Sequence, residues 1–264
     1  MKMGSATIQG SLWNHSPAGW NIQERLHSPI FEAMLTAANV STGTRILDAG
    51  CGTGTASVLA AARGANVTGI DAAKGLVDYV SKALPDGNFT VGDIQFFDFP
   101  DESFDVVFAA NSVQYAEDPV AALREFKRVC KKGGTVVACL FGPPEGIDYK
   151  AVFAAAKGAM PPPPADAKPG GPFALSAPGI LEGLFVEVDL EVTSTGKANC
   201  PFTYENFEQK WAYSVGAGPY QGMMRVIGES KMKEAILLGC KDFTNDDGSI
   251  VFPKNEFIYV AGKA

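Results

Sequence analysis

The chain reads as an α/β protein built on a Rossmann-like, doubly wound, mostly parallel sheet, and three observations carry that reading. Strand-like and helix-like segments alternate through its first half. A glycine loop, Gly50-Cys51-Gly52-Thr53-Gly54, joins the first such strand to the first such helix. The strand segments are short, nearly unbroken apolar runs, as expected of strands buried on both faces.

Taken in order, Thr44–Gly50 is a strand entering the glycine loop, and the alanine-rich Thr55–Ala62 is a helix. Asn66–Asp71 is a second strand ending on an acid. Lys74–Leu84 has helical spacing, Phe89–Ile94 is a third strand and Phe104–Asn111 a fourth. Pro119–Cys130 is a helix with Asp118 as its N-cap and Pro119 at its first position. Lys131-Lys132-Gly133-Gly134 stops it, and Thr135–Phe141 is a fifth strand. Repeated βα units with short loops imply a parallel sheet with helices on both faces.

The rhythm then breaks. Pro161–Pro164 and Lys168–Pro172 form a stiff, exposed loop. Ser176–Leu184 reads as a helix. Val186–Thr195 alternates apolar and polar side chains, the pattern of a strand with one buried face. Tyr204–Lys241 turns helical, and Phe257–Ala261 is a last strand. The expectation is one domain over residues 1–264. Within it, residues 1–40 form an N-terminal helical lid, with a helix over Ile22–Ala38 interrupted near Ser28-Pro29. Residues 200–250 form a helical cap inserted between the last two strands.

Composition excludes several function classes. A net charge of −7 offers no broad basic footprint for nucleic acid. No run of about 18 apolar residues suggests a membrane span, and no signal peptide is evident, so the expected location is the cytoplasm. The 5 cysteines are widely spaced without a CxxC, and His15 and His27 are the sole histidines. Reduced, buried thiols are expected, and no metal site.

Gly50, Gly52 and Gly54 let a ligand approach the backbone closely. Asp71, at the end of the next strand, is placed to accept hydrogen bonds from ribose hydroxyls. A dinucleotide would call for G-x-G-x-x-G with its pyrophosphate at the helix N-terminus. Here the third glycine comes one residue early, and Asp48 before the loop suits a cationic ligand better than a phosphate.

Ile46-Leu47-Asp48-Ala49-Gly50-Cys51-Gly52-Thr53-Gly54 resembles the first motif of class I S-adenosylmethionine-dependent methyltransferases. Thr68-Gly69-Ile70-Asp71 is similar to their second-strand motif and Val91-Gly92-Asp93-Ile94 to their third. Phe104–Val107 with Asn111–Tyr115, and Phe126–Val129 with Lys132–Gly134, resemble the fourth strand and the approach to the fifth. The small-molecule enzymes of ubiquinone and menaquinone biosynthesis are the nearest type. The likeness covers residues 12–142 well and the remainder in layout only. It implies a seven-stranded sheet with an antiparallel last strand and, as cofactor, S-adenosylmethionine, leaving S-adenosylhomocysteine as product. It also implies site roles. Asp48, Gly50, Cys51, Gly52 and Gly54 surround the methionine part. Asp71 and Ala72 hold the ribose, and Asp93 and Ile94 the adenine. Asn111 and Ser112 lie near the sulfonium, and Trp20 walls the pocket.

Methyl transfer is an in-line displacement that needs alignment and exclusion of water more than a catalytic group. Candidates for a base or an acceptor contact are His15, Gln114 and Tyr115. The Asn/Asp-Pro-Pro-aromatic motif of base-modifying enzymes is absent at Asn111-Ser112-Val113-Gln114. The expected partner is therefore a small-molecule methyl acceptor, modified at O, N or C. Two alternatives stay open: an NAD(P)-dependent oxidoreductase, and a donor-binding protein without turnover.

Overall fold

The computed structural model describes residues 5–162 and 171–264. Three helices come first: α1 (Ala6–Trp13), α2 (Pro17–Leu26) and α3 (Ser28–Ala37). Ser16 caps α2, its hydroxyl accepting the Gly19 N–H at 3.3 Å just ahead of Pro17. The helix expected over Ile22–Ala38 is thus two helices, parted at His27.

The alternating half follows as β1 (Arg45–Ala49), α4 (Thr55–Ala62), β2 (Asn66–Asp71), α5 (Lys74–Ala83), β3 (Asn88–Val91), β4 (Phe104–Ala110), α6 (Pro119–Val129) and β5 (Cys130–Phe141). The Asp118 carboxylate caps α6, accepting the Val120 and Ala121 N–H groups, each at 3.0 Å. The second half holds α7 (Lys150–Gly158), α8 (Ile180–Glu187), β6 (Glu191–Asn199), β7 (Phe202–Tyr204), α9 (Phe207–Gly216), α10 (Gly218–Ile227), α11 (Glu229–Cys240), β8 (Ile250–Phe252) and β9 (Glu256–Lys263).

The seven-stranded sheet has the order β3-β2-β1-β4-β5-β9-β6. Strands β1 to β5 are parallel, and β9 runs antiparallel to both its neighbours. The unbroken apolar runs are explained by two faces. Ile46, Val106, Phe108 and Val137 pack on one side with α3. Leu47, Val107, Ala109 and Val136 pack on the other with α6 and α8. The strand order reverses between β1 and β4, so a crevice opens at their carboxyl ends, where open sheets of this kind bind ligands. Helices α9, α10 and α11, flanked by the paired strands β7 and β8, lie in sequence between β6 and β9.

Three local expectations are corrected. Residues 186–195 are not one strand: α8 runs on to Glu187, with Leu181 and Phe185 buried one turn apart, and the chain turns at Asp189 before β6. Val186 therefore faces solvent. The helix expected from Ser176 starts at Ile180, while the Ser176 hydroxyl donates to the Phe141 carbonyl at 2.7 Å. Lys131–Gly134 is no separate turn but the irregular first stretch of β5, where the register against β4 shifts between Phe104 and Val106. Of the expected proline-rich loop, residues 163–170 lie outside the described residues.

Candidate functional site

The glycine loop is built by its backbone. The Gly50 and Cys51 N–H groups both donate to the Ile70 carbonyl, at 2.8 and 3.0 Å, which ties the end of β1 to β2. Gly50 sits at φ +86°, and a Cβ there would meet the Ser112 Cβ at 2.5 Å. Only glycine combines that backbone with that approach. Ser112 in turn donates its hydroxyl to the Ala49 carbonyl at 2.7 Å, fixing the loop after β4 against the loop after β1.

Together these loops line a cavity of about 800 Å³, the solvent at its mouth included, at the carboxyl edge of the sheet under α1 and α2. It collects Asp48, Gly50, Cys51, Gly52, Asp71, Ala72, Asp93, Ile94, Asn111, Ser112, Tyr115 and Trp20. Gly54 stands just outside as the left-handed N-cap of α4, against Val80. His15 is exposed in the turn between α1 and α2 and lines neither this cavity nor its neighbour. Gln114 lines a second, neighbouring cavity.

The polar lining is acidic. Asp48 is buried and accepts the Ser57 hydroxyl at 2.6 Å. Burial raises its carboxyl from 3.8 to about 7, Ser57 opposes the rise, and the nearby Asp71 adds to it. The Asp71 oxygens accept the Gly52 N–H at 3.0 Å and the Ala73 N–H at 2.8 Å, and burial raises this carboxyl as well. Asp93 accepts the Ala6 N–H at 3.2 Å, so α1 begins on the third-strand acid. The Cys51 thiol is held well above its ordinary range, by burial first and then by Asp71, Asp48 and Glu24, so it stays protonated and is no nucleophile.

Glu24, on α2, escaped the sequence reading. Its Oε2 accepts the Thr53 N–H at 3.0 Å, the Thr53 hydroxyl, and the Thr55 hydroxyl at 3.3 Å. The carboxylate thus occupies the amino end of α4. Burial, then Asp48, raises its carboxyl well above the usual range, against the Thr53 N–H bond. Trp20, Gln23, Glu24 and His27 share one face of α2, three or four residues apart, and all of them line a cavity. Polar groups at the spacing of a buried helical stripe are the signal that marks them.

Asn111 ends β4 in the left-handed region at φ 52°, a conformation Asn tolerates better than most residues. Its Oδ1 is buried without a hydrogen-bond partner. Trp13 and Trp20 meet edge to face at 4.7 Å, and Trp13 meets Tyr115 at 5.6 Å. Among the described residues no group of three or more His, Cys, Asp or Glu is placed to hold a metal ion. No described helix is long and apolar enough to cross a membrane.

Comparison with known proteins agrees with this geometry. Residues 47–138 match the family described as a methyltransferase domain. The chain is 32% identical over 127 residues to a malonyl-[acyl-carrier protein] O-methyltransferase of Serratia marcescens, covering 48% of this chain and 50% of that one. It is 32% identical over 120 residues to a demethylmenaquinone methyltransferase of Renibacterium salmoninarum, covering 46% and 51%. The chain spans about half the length of the curated relatives it matches. Among solved structures, the YcgJ protein of Bacillus subtilis aligns with a TM-score of 0.60 at 20% identity, over 88% of this chain and 97% of that one.

Proposed function

Because the chain carries a methyltransferase domain on the class I fold, we propose that it transfers a methyl group from S-adenosylmethionine to a small-molecule acceptor. One observation carries the choice of ligand. Among the described residues, the larger cavity is lined by four carboxyl groups, Glu24, Asp48, Asp71 and Asp93, and by no Lys or Arg. A ligand bearing a sulfonium and an ammonium offsets that buried charge. A pyrophosphate would add to it. The Glu24 carboxylate also holds the amino end of α4, the place where a dinucleotide would set its phosphates.

When bound, the donor supplies a methyl group on a positively charged sulfur, already a good leaving group. The chain's part is to bind, orient and exclude water. Asp48 and the Gly50–Gly52 backbone take the amino-acid end, with Glu24 behind them. Asp71 keeps acceptor capacity beyond its two backbone bonds and takes the ribose, beside Ala72. Asp93 and Ile94 take the adenine. Asn111 and Ser112 flank the reacting end, under Trp20. Helices α1 and α2 close the mouth and serve as the lid, α3 packs on the sheet, and α9–α11 serve as the cap of a single domain. We place the protein in the cytoplasm, in keeping with five cysteines that are all free and buried.

Calorimetric titration with S-adenosylmethionine, S-adenosylhomocysteine and NAD tests the reading. We expect both sulfur ligands to bind and NAD not to. Tight NAD binding without binding of the methyl donor would overturn it.

A further inference from the structure

A second cavity, of about 430 Å³ with the solvent at its opening included, adjoins the first. Trp13, Trp20, His27, Asn111 and Tyr115 line both, so these side chains stand where the two spaces meet. Beyond them the walls are aromatic: Phe141 and Phe153 from the sheet and α7, Tyr213 and Tyr220 from the cap. Among the described residues, no Asp, Glu, Lys or Arg lines this chamber.

Polar groups face it without partners. Gln114 is 7% exposed, and neither its Oε1 nor its Nε2 has a hydrogen bond. His27 is 3% exposed, and its Nδ1 has none either. The tautomer of His27 follows from a chain of contacts. The Tyr204 hydroxyl donates to Gln23 Oε1, which turns Gln23 Nε2 toward His27 Nε2 at 3.4 Å. The imidazole then carries its proton on Nδ1, the unpaired atom. Burial holds this ring neutral, its ordinary 6.5 lowered to about 3, so it serves as a donor and not as a base. Buried donors and acceptors left unpaired oppose folding. Four such atoms, on Gln114, His27 and Asn111, around one aromatic space call for a ligand that pairs them.

We propose that this chamber receives the methyl acceptor as an uncharged, flat, conjugated molecule carrying a hydroxyl or carbonyl oxygen, held by His27 Nδ1–H and the Gln114 amide between aromatic walls. The inference rests on the donor reading, which sets the methyl group on the near side of the shared side chains. Charge narrows the class. A malonyl group, as in the name of one relative, would bring a carboxylate into a space where no described cation meets it, and burying an unpaired charge is strongly unfavourable. Ring faces and edges suit a flat partner.

The test titrates the full-length protein, saturated with S-adenosylhomocysteine, with 2-naphthol, naphthalene and 2-naphthoate at pH 7.5. At that pH a phenol is neutral and a carboxylate ionised. We expect 2-naphthol to bind at least about tenfold tighter than naphthalene, the worth of the paired oxygen. We expect 2-naphthoate to bind at least about a hundredfold weaker than 2-naphthol. Gln114→Leu should bring 2-naphthol close to naphthalene and leave S-adenosylhomocysteine affinity unchanged, since Gln114 does not line the first cavity. Leu replaces an amide that has no bond to lose, so the thermal midpoint should hold or rise. The proposal is overturned if no probe binds, if 2-naphthoate matches 2-naphthol, or if the variant keeps the wild-type ratio. Failure of S-adenosylhomocysteine to bind would instead overturn the donor reading, and the same ratios on the free protein would then decide the chamber.

Discussion

Lowering the pH should weaken the grip of the acidic cavity on a cation, and Asp48 sets the scale. Its carboxyl, raised mainly by burial, ionises at about 7 in the free protein. A ligand that needs the carboxylate must first bear the cost of ionising it. For a group titrating at 7, about one-eleventh is ionised at pH 6 and about ten-elevenths at pH 8. The apparent affinity for S-adenosylmethionine should therefore fall about tenfold from pH 8 to pH 6, or about 1.4 kcal/mol. Glu24 is raised as well, so its titration adds in the same direction. The assay is calorimetry in two buffers of different ionisation enthalpy, which also counts protons. At pH 7, Asp48 should release about half a proton per molecule bound. Asp48→Asn is the control, because the amide oxygen still accepts the Ser57 hydroxyl. The variant should bind more weakly at pH 8 and lose about a tenfold part of the pH effect. Titration of the ligand itself is common to both proteins and cancels in their ratio. An identical affinity ratio between pH 6 and pH 8 in both proteins would refute the reasoning.

Gly10→Ala should lift α1 off the site, since a Cβ there would meet the Ala72 carbonyl oxygen at 2.4 Å, and donor affinity should fall while the denaturation midpoint of the core moves little. An unchanged Kd would show that α1 does not close the cavity. Lys210 is fully buried among Tyr149, Tyr204, Tyr213 and Tyr220, with its Nζ 4.6 Å from the Tyr213 ring centre, and burial lowers it from 10.5 to about 7. Between those values the unfolded chain binds the extra proton, so the Lys210 contribution to stability should rise by about 2 kcal/mol between pH 7.5 and 9, read as the difference between wild type and variant because the buried thiols titrate alike in both. Urea unfolding of Lys210→Met should lack that rise.

Most of the first cavity's polar lining was legible because it is local. A strand, a glycine loop and a helix are contiguous in sequence, Asp71 ends the next strand, and Asp93 stands two residues past the end of the third. The parallel order followed from the same short βα units. Misreadings fell where a short pattern serves two structures. The alternation from Val186 to Thr195 fits a strand, yet the last turn of α8 and a left-handed Asp189 use up its first residues. Helix α7 was not foreseen: its run of small residues at Ala151–Gly158 gains its place from packing on α11, where a Cβ on Gly239 would lie 2.6 Å from the Val152 Cα.

The second chamber has no such contiguous source. Its walls come from α1, α2, the loop after β4, the end of β5, α7 and the cap, and no pair of them is adjacent in a readable motif. His27 illustrates the difficulty. In sequence it is one of two histidines, and only His15, in the exposed turn, stands among the candidates for a base or an acceptor contact. In the fold, His27 is packed among Phe31, Phe141, Phe202 and Phe257, with ring centres 4.9 to 6.4 Å away. That packing removes its basicity and leaves it a donor. Methyl transfer to a protonated oxygen needs a proton acceptor. The chamber has no described base of ordinary strength. Its unpaired atoms are two donors, Gln114 Nε2 and His27 Nδ1, and two acceptors, Gln114 Oε1 and Asn111 Oδ1, a set that pairs with a neutral oxygen group able to donate and accept. Pairing of that group and flatness of the chamber are then two aspects of one selection, made by side chains that meet only once the chain has folded.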